Sequence, residues 1–329
     1  MSNNNKIVQF PELEEGVKEK TPPQVEVGTH YFRQLYLYAF APQAEVMNHL
    51  RTQALSGENS QVPKLLGYWT LLQSRIGKLM QDEAGLAETI EVDEIPREFE
   101  PKLEAFLRDN LFQKTFSHLP ISFRLVEIDK LIAAQRTVNL DYVDKLVASY
   151  SKQPTLEDLI SICLSPSRSM DPIQHLEVGP NSHVFTSPNS DIRFLGAFVK
   201  ELTNADLEFA IAGGNPAAAV IAFIGYGGSP VNVLSSGKRV VLNNGFHRVY
   251  ALRSLGVTRI PVVVQHVGNP QLEFPAQVAG LPREYLLYAA RPVLMKDFFE
   301  PDFKVQLKVR DRLKMVTVGI GVNQHEVPA

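Results

Sequence analysis

Residues 240–266 read VVLNNGFHRVYALRSLGVTRIPVVVQH, and this stretch predicts a strand, a tight turn, a short helix and a second strand. The β-branched and apolar residues 239–242 are typical of a strand. Asn243-Asn244-Gly245 are turn formers, and a glycine adopts a positive φ without steric cost. The apolar run 260–264 indicates the second strand. Apolar residues spaced three apart predict the inner face of the helix: Val249, Leu252 and Leu255.

The turn puts His247 and Arg248 into the first turn of the predicted helix. Backbone N–H groups and the positive end of the helix dipole favour an anion there, and an arginine adds charge-assisted hydrogen bonds. The alternative is that His247 and Arg248 only cap the helix or form salt bridges, and that Asn243 and Asn244 only shape the turn. We predict a phosphate-binding turn made of Asn244, Gly245, Phe246, His247 and Arg248.

This stretch resembles the ParB/sulfiredoxin family, whose hallmark is Gly-x-His-Arg or Gly-x-Arg-Arg after a strand. The family pattern continues with Ala, Leu-Gly and Ile-Pro-Val. Its elements here are Gly245-Phe246-His247-Arg248, Ala251, Leu255-Gly256 and Ile260-Pro261-Val262. A second match, RLVEIDKLIAAQR at 124–136, resembles the family's opening strand, which ends in a Gln/Arg pair. The resemblance implies an α/β (α+β) fold with a ParB/sulfiredoxin-like mixed sheet, and it implies that Arg136 lies near the ligand. The alternative for Arg136 is an ordinary surface arginine.

Members of the family bind nucleotide phosphates at this turn, so the resemblance implies a nucleoside triphosphate or diphosphate with Mg²⁺. Sulfiredoxins also use a cysteine just before the His-Arg pair, and that position is Phe246 here. We therefore expect no sulfinic acid reduction. Partition ParB proteins clamp DNA with CTP and carry a helix-turn-helix domain after the motif. The residues after 270 read partly as strand, so a role in chromosome partition is not expected.

The composition is that of an ordinary globular protein, with 44% hydrophobic residues, 21% charged residues and a net charge of −3. This balance produces no overall attraction to nucleic acid, so a nucleic-acid partner is not favoured. The longest apolar run, near 217–224, is too short to span a membrane, and the first residues lack the apolar core of a signal peptide. We expect a cytoplasmic protein with no membrane contact. Cys163 is the single cysteine, so an internal disulfide is excluded, and its apolar surroundings predict an inert buried thiol.

Composition and periodicity divide the chain into four predicted segments. They are a flexible tail (1–28), a helical region (29–118), a ParB/sulfiredoxin-like domain with an insertion near 165–230 (119–270), and an extension with a helix and a β-hairpin (271–329). The helical region carries an aromatic stripe that serves either core packing or a protein partner. The stripe consists of Tyr31, Phe32, Tyr36 and Phe40.

Several elements are predicted from local patterns. The apolar spacing indicates helices over about 30–54, 65–79 and 98–113. Asn139 is a good N-cap for a helix that follows it. Residues 183–198 indicate a strand with a Pro-Asn turn, followed by a helix to about 211.

Strict alternation begins at Lys304 and predicts a strand to Lys314, with 316–322 as its hairpin partner. Val305, Leu307, Val309 and Leu313 fall on the inner face. The cations on the outer face either bind a polyanion or only keep that face solvated and so prevent edge-to-edge aggregation. These cations are Lys304, Lys308, Arg310, Arg312 and Lys314.

Two classes of function are consistent with these residues. The first is a nucleotide-dependent phosphotransferase, hydrolase or switch built on residues 121–270. The second is a non-catalytic assembly or adaptor protein that keeps the fold and binds a protein partner through the helical N-terminal region, or a nucleic-acid-associated ParB-like protein. The intact His-Arg turn favours the first class. The scarcity of acidic residues near the turn, which leaves no general base, and the large insertion favour the second, and no catalytic residue or metal ligand is assigned.

Overall fold

The computed structural model describes residues 31–53, 62–166, 170–179, 181–189, 191–204, 206 and 214–324. The chain divides into two compact units. The larger unit comprises the described residues within 30–168 and 228–310, and the smaller unit those within 169–227 and 311–329. The predicted tail 1–28 lies outside the described residues.

Short strands and helices occur along the whole described chain. The strands are β1 (Tyr31–Tyr36), β2 (Val92–Asp93), β3 (Ile121–Glu127), β4 (Ile132–Ala133), β5 (Thr137–Asn139), β6 (Gln174–Gly179), β7 (Ser182–Ser187), β8 (Ile192–Glu201), β9 (Ala218–Tyr226), β10 (Asn232–Ser236), β11 (Arg239–Asn244), β12 (Arg259–His266), β13 (Gln277–Val278), β14 (Leu281–Pro282), β15 (Val305–Arg310) and β16 (Lys314–Gly319). The helices are α1 (Gln43–Gln53), α2 (Val62–Asp82), α3 (Glu100–Arg108), α4 (Asn110–Thr115), α5 (Leu140–Ser149), α6 (Leu156–Leu164), α7 (Phe246–Ser254), α8 (Pro270–Glu273) and α9 (Arg283–Tyr288). Short 3₁₀ helices cover Tyr38–Phe40, Leu86–Thr89, Arg97–Phe99, Met295–Phe299 and Pro301–Phe303.

The larger unit is built on a six-stranded mixed sheet with the order β2-β3-β12-β10-β11-β4. β10 lies parallel to β12 and β11 parallel to β4, whereas the other neighbouring pairs are antiparallel. β11, α7 and β12 are the strand, helix and strand that residues 240–266 predict. The mixed α/β class and this arrangement are therefore confirmed.

The main hydrophobic core includes apolar residues from this sheet and from α5, α6 and α7. Val249 and Leu252, two residues of the predicted inner face of α7, are fully buried. Burying a valine or leucine side chain contributes roughly 1.5–3 kcal/mol each. The packing of this face therefore holds α7, and with it the turn at its start, against the sheet.

The first described segment is a strand, and the helix predicted over 30–54 is wrong at this end. β1 pairs with β15 on one edge and with β5 on the other, and α1 begins only at Gln43. The spacing of Phe32, Leu35 and Tyr36 suits a helix, but aromatic residues also favour strands. This segment forms a strand because two partner strands from distant parts of the chain satisfy its backbone hydrogen bonds.

The predicted C-terminal hairpin is also wrong, because β15 and β16 pair with different strands. β15 pairs with β1, whereas β16 pairs with β7 in the smaller unit. The strand predicted from Lys304 to Lys314 ends at Arg310, so the five cations do not line one strand. Alternation does identify the inner residues of β15, since Leu307 and Val309 are buried, but Leu313 lies beyond the end of the strand and is 40% exposed.

The smaller unit contains a three-stranded sheet, β6-β7-β16, and a separate two-stranded ribbon, β8-β9. The predicted Pro188-Asn189 turn lies between β7 and β8. β8 continues to Glu201, so the helix predicted to follow residue 198 does not begin there. Most of residues 205–213, over which that helix was to continue, lie outside the described residues.

The other predicted helices agree with the structure. α2 contains residues 65–79, and α3 and α4 share the segment predicted as one helix over 98–113. Asn139 is the N-cap of α5, and its side chain accepts a hydrogen bond from the backbone N–H of Tyr142 at 3.0 Å. Such a cap contributes about 1 kcal/mol and fixes where the helix begins.

Candidate functional site

The turn between β11 and α7 is shaped by Gly245, which has a φ of +95° and is the N-cap of α7. A Cβ atom at this position would lie 2.7 Å from Val231 Cγ2 and 3.2 Å from Val231 Cα. Both the backbone torsion and the close approach of Val231 therefore require glycine.

The asparagine side chains of the turn form hydrogen bonds within the protein. Asn244 Nδ2 donates to the carbonyl oxygens of Gly228 (2.7 Å) and Pro230 (3.1 Å). Asn243 Nδ2 donates to Asn232 Oδ1 at 2.8 Å. These bonds tie the end of β11 to the segment that leads into β10, which supports the turn-forming interpretation of both residues.

Arg248 is buried, with 6% of its surface exposed, and its guanidinium contacts backbone carbonyl groups. Nη1 donates to the Ile162 carbonyl oxygen at 3.1 Å, and Nη2 donates to the Ser229 carbonyl oxygen. Ile162 lies in the last turn of α6, where carbonyl groups lack helical partners and a cation interacts favourably with the helix dipole. The position of Arg248 thus fits a cap for α6, which sequence reasoning did not foresee.

His247 accepts a hydrogen bond at Nε2 from the backbone N–H of Asn139, at 3.1 Å. A backbone N–H can only donate, so Nε2 carries the lone pair in this arrangement and the ring is neutral. The ring of Tyr142 meets the imidazole edge-on, with 5.4 Å between centroids. His247 therefore links the start of α7 to the junction between β5 and α5.

Phe246 and Cys163 both lie in the core. The Phe246 ring packs edge-on against Phe298, with 5.0 Å between centroids. Burial raises the pKa of the Cys163 thiol to about 12, and the nearby charge of Arg248 opposes that rise only in part. A thiol held protonated in this way is a poor nucleophile at neutral pH.

Arg136 follows β4. Because β4 and β11 are parallel neighbours, the carboxyl ends of both strands lie at the same end of the sheet. The side chain of Arg136 is only 11% exposed. Nη1 donates to both carboxylate oxygens of Glu45, each at 2.6 Å. The Nε atom is buried and has no hydrogen-bond partner among the described residues.

A second donor without a partner lies beside Arg136. The hydroxyl group of Tyr36 is buried, and no hydrogen-bond partner for it lies in the described part of the chain either. Burial raises the pKa of this hydroxyl well above its ordinary value, the Glu45 carboxylate raises it further, and the Arg136 guanidinium lowers it. The ring of His49 stacks on Tyr36 with 4.0 Å between centroids. We call Arg136, Tyr36, Glu45 and His49 the Arg136 cluster.

The three-residue strand β5 connects the predicted site residues. Arg136 precedes β5, and the last residue of β5, Asn139, donates to His247. Tyr36 lies opposite Thr137 across the β1–β5 pair. Sequence reasoning missed Tyr36 and Glu45 as neighbours of Arg136, because the only signal in the sequence was an aromatic stripe assigned to a helix.

No group of three or more histidine, cysteine, aspartate or glutamate residues in the described part of the chain is arranged to hold a metal ion. Within the same ranges, no helix is both long enough and apolar enough to cross a lipid bilayer. Comparison of the whole chain with protein-family models, with curated proteins and with solved structures finds no match. The resemblance to the ParB/sulfiredoxin family therefore rests on residues 124–136 and 240–266 alone.

Proposed function

We propose that this protein binds a phosphate-bearing ligand, a nucleoside diphosphate or triphosphate, at the Arg136 cluster beside the β11–α7 turn. The observation that carries the proposal is the pair of buried donors without partners, Tyr36 Oη and Arg136 Nε. Nearly all buried polar groups in folded proteins are hydrogen-bonded, and one left unsatisfied costs about 1–3 kcal/mol. An oxyanion that accepts from both donors would remove this penalty.

The guanidinium of Arg136 favours an anionic ligand, and the carboxylate of Glu45 opposes one. The guanidinium of Arg136 carries a full positive charge and offers donors in a planar fork, which suits phosphate and carboxylate groups. Nη1 of this guanidinium already donates hydrogen bonds to the Glu45 carboxylate. A phosphate on the Nε side would share Arg136 with Glu45 and would be repelled by the Glu45 charge.

The resemblance to the ParB/sulfiredoxin family supports a nucleotide as the source of the phosphate. The upstream box ends at Arg136, and the downstream box contains the Gly245–Arg248 turn. In this proposal the ligand is accompanied by Mg²⁺, and the protein acts as a nucleotide switch, a phosphotransferase or a hydrolase. Arg248 and His247 then stabilise the turn rather than contact the phosphates directly.

The test is isothermal calorimetry with ATP, ADP, CTP and GTP, with and without Mg²⁺, on the wild type and three variants. Tyr36→Phe removes one free donor, so we expect binding to weaken by about tenfold, since a hydrogen bond to a charged group contributes about 1.5–3 kcal/mol. The free energy of unfolding of Tyr36→Phe should not fall, because the Tyr36 hydroxyl group has no hydrogen-bond partner among the described residues. Glu45→Gln removes the repelling charge, so it should bind about tenfold more tightly.

Tyr285→Phe is the matched control, because the Tyr285 hydroxyl group accepts a hydrogen bond from the Val293 N–H at 3.0 Å. We expect this variant to lose about 1 kcal/mol of stability with unchanged nucleotide affinity. A folded wild type that takes up none of the nucleotides at high micromolar concentration would overturn the proposal.

The second candidate is a non-catalytic assembly or adaptor protein. It is favoured by the internal contacts of the turn, where Arg248 donates to two backbone carbonyl groups and His247 accepts from Asn139. Both side chains then serve the fold itself. Nucleotide turnover by the wild type would argue against this candidate, whereas binding of a protein without any nucleotide uptake would favour it.

A further inference from the structure

Two histidine side chains meet on one face of the β6-β7-β16 sheet of the smaller unit. His175 Nε2 and His183 Nδ1 are 3.2 Å apart, and the two ring centroids are 5.3 Å apart. The register of β6 and β7 puts His175 opposite Phe185 and Glu177 opposite His183, so these four side chains share a face. His175 is exposed and His183 is half-buried. The two imidazoles therefore lie side by side where solvent reaches them.

The Phe185 ring supports this pair. It stacks on His175 with 4.8 Å between centroids and an interplanar angle of 24°. The paired strands set the separation of the two histidines, and the stack limits the conformations that His175 adopts. Side chains held in this way lose little conformational entropy when they bind a ligand.

The distance between the two nitrogens is one that a shared metal ion requires. Zinc binds histidine nitrogen at about 2.0–2.1 Å, so two nitrogens 3.2 Å apart would subtend an angle of about 100° at the ion. This angle lies between those of octahedral and tetrahedral coordination. Reorientation of the rings away from their mutual hydrogen bond aims both lone pairs at the ion, and each imidazole keeps its proton on its other nitrogen.

The charges on this face favour a cation beside the histidines. Glu177 lies directly opposite His183, and side chains paired in this way have Cβ atoms about 4.5–5.5 Å apart. Lys314 is on the same face but lies opposite Ser187, four residues along β7 from His183, which is roughly 13 Å. Because Coulomb energies fall with distance, the attraction from Glu177 outweighs the repulsion from Lys314 at this pair.

We propose that His175 and His183 bind one divalent transition-metal ion such as Zn²⁺, with water molecules completing its coordination. Imidazole suits zinc, nickel and copper, whereas Mg²⁺ and Ca²⁺ prefer oxygen ligands. Two protein ligands are fewer than the three or four of catalytic and structural zinc sites, so the bound ion keeps open positions. The pair belongs to the smaller unit and is independent of the nucleotide site proposed in the larger unit.

The first test is calorimetry of the full chain with Zn²⁺, without nucleotide and without Mg²⁺. We expect one saturable site at micromolar zinc. His175→Ala and His183→Ala should each weaken binding by at least about tenfold, because one of the two ligands is lost. The control is His266→Ala, which removes an exposed histidine that is hydrogen-bonded to Ser122, and it should leave the zinc affinity unchanged.

A second test identifies the ligands in the wild type itself. Zn²⁺ should shift the imidazole signals of His175 and His183 in the NMR spectrum, with the signals assigned from the single variants. Circular dichroism verifies that each variant folds without metal. A folded wild type that takes up no Zn²⁺ would overturn the proposal. So would shifts confined to other histidines, or saturable binding that survives substitution of both residues, since the ion would then lie elsewhere.

Discussion

Gly245 is restricted to glycine by two separate constraints, a left-handed backbone torsion and the side chain of Val231. The two constraints can be separated experimentally, because Gly237 also has a positive φ but has nothing within 4 Å of its Cβ position. Alanine substitutions at Gly245 and Gly237 therefore measure how much free energy the close packing of the β11–α7 turn adds to the torsional strain.

We predict that Gly245→Ala lowers the free energy of unfolding by at least about 3 kcal/mol, the sum of torsional strain and overpacking. Gly237→Ala should lower it by about 1 kcal/mol, because only the torsion is strained. Chemical denaturation followed by circular dichroism measures both. Equal losses in the two variants would contradict the packing role assigned to Val231.

Glu83 provides a pH-dependent contribution to stability through a partly buried ion cluster. Its carboxylate accepts from Lys296 Nζ and Arg291 Nη2, both at 2.7 Å, and the Arg291 side chain is fully buried. Burial acts to raise the pKa of Glu83, but hydrogen bonds from Lys296 and Arg291 outweigh burial and lower the pKa below its ordinary value of 4.5. The unfolded chain therefore takes up this proton at a higher pH than the folded chain does.

The stabilisation from Glu83 is fully present above pH 4.5 and is lost as the pH falls through the lower pKa of the folded state. We expect Glu83→Gln to be about 1.5 kcal/mol less stable than the wild type at neutral pH, and this difference should shrink in acid. Glu104→Gln is the control, because Glu104 forms an exposed pair with Arg108 that contributes less than about 0.5 kcal/mol. A difference that does not change with pH would contradict this account.

At the scale of elements, the C-terminal end of α6 is capped by Arg248 and by the segment that leads into β10. The Val231 N–H donates to the Cys163 carbonyl oxygen at 2.6 Å, and Arg248 donates to the Ile162 carbonyl oxygen. These bonds satisfy carbonyl groups at the end of α6 that have no partner within the helix. The same guanidinium binds the Ser229 carbonyl oxygen, so Arg248 joins three segments of the larger unit.

We predict that Arg248→Ala destabilises the larger unit by about 2–4 kcal/mol, because it leaves buried carbonyl groups unsatisfied. Arg253→Ala lies on the same helix and removes a more exposed ion pair with Asp129, so its loss should stay below about 1 kcal/mol. Thermal unfolding of both variants gives the comparison. An Arg248→Ala protein that is as stable as the wild type but has lost nucleotide binding would instead identify Arg248 as a phosphate ligand.

At the scale of the whole molecule, each unit is assembled from segments that are far apart in the chain. In the larger unit, β1 lies between β15 and β5. β15 buries Leu307 and Val309 in a cluster with residues of β1 and α1. β16, which follows β15 within a few residues, belongs to the smaller unit.

We therefore predict different results for two truncations. A chain that ends after Arg310 loses β16 but should retain the unfolding transition of the larger unit. A chain that ends after Lys304 also loses β15, so the larger unit should lose at least about 3 kcal/mol through exposure of Leu307 and Val309 and of one edge of β1. Differential scanning calorimetry distinguishes the two, and equal damage in both chains would show that β15 depends on β16.

Local signals in the sequence correctly predicted the elements that carry the turn. Gly245, the spacing of Val249 and Leu252, and the Asn139 cap each act within one or two helical turns, so their effect is visible in the sequence. The same holds for the mixed α/β class, which follows from the order of strands and helices in residues 240–266. Backbone torsion and side-chain capping are properties of neighbouring residues, and this is why they could be predicted.

The partners of strands and of charged groups were decided only by the tertiary structure. The sequence predicts β1 as helix and β15 as half of a hairpin, because their true partners lie elsewhere in the chain. Arg136 meets Glu45 across 91 residues, and Arg248 meets Ile162 across 86. Periodicity indicates which face of an element is apolar, but it carries no information about which distant segment will satisfy its hydrogen bonds and charges. That choice is made when the core packs, because burial determines which donors and charges must find partners.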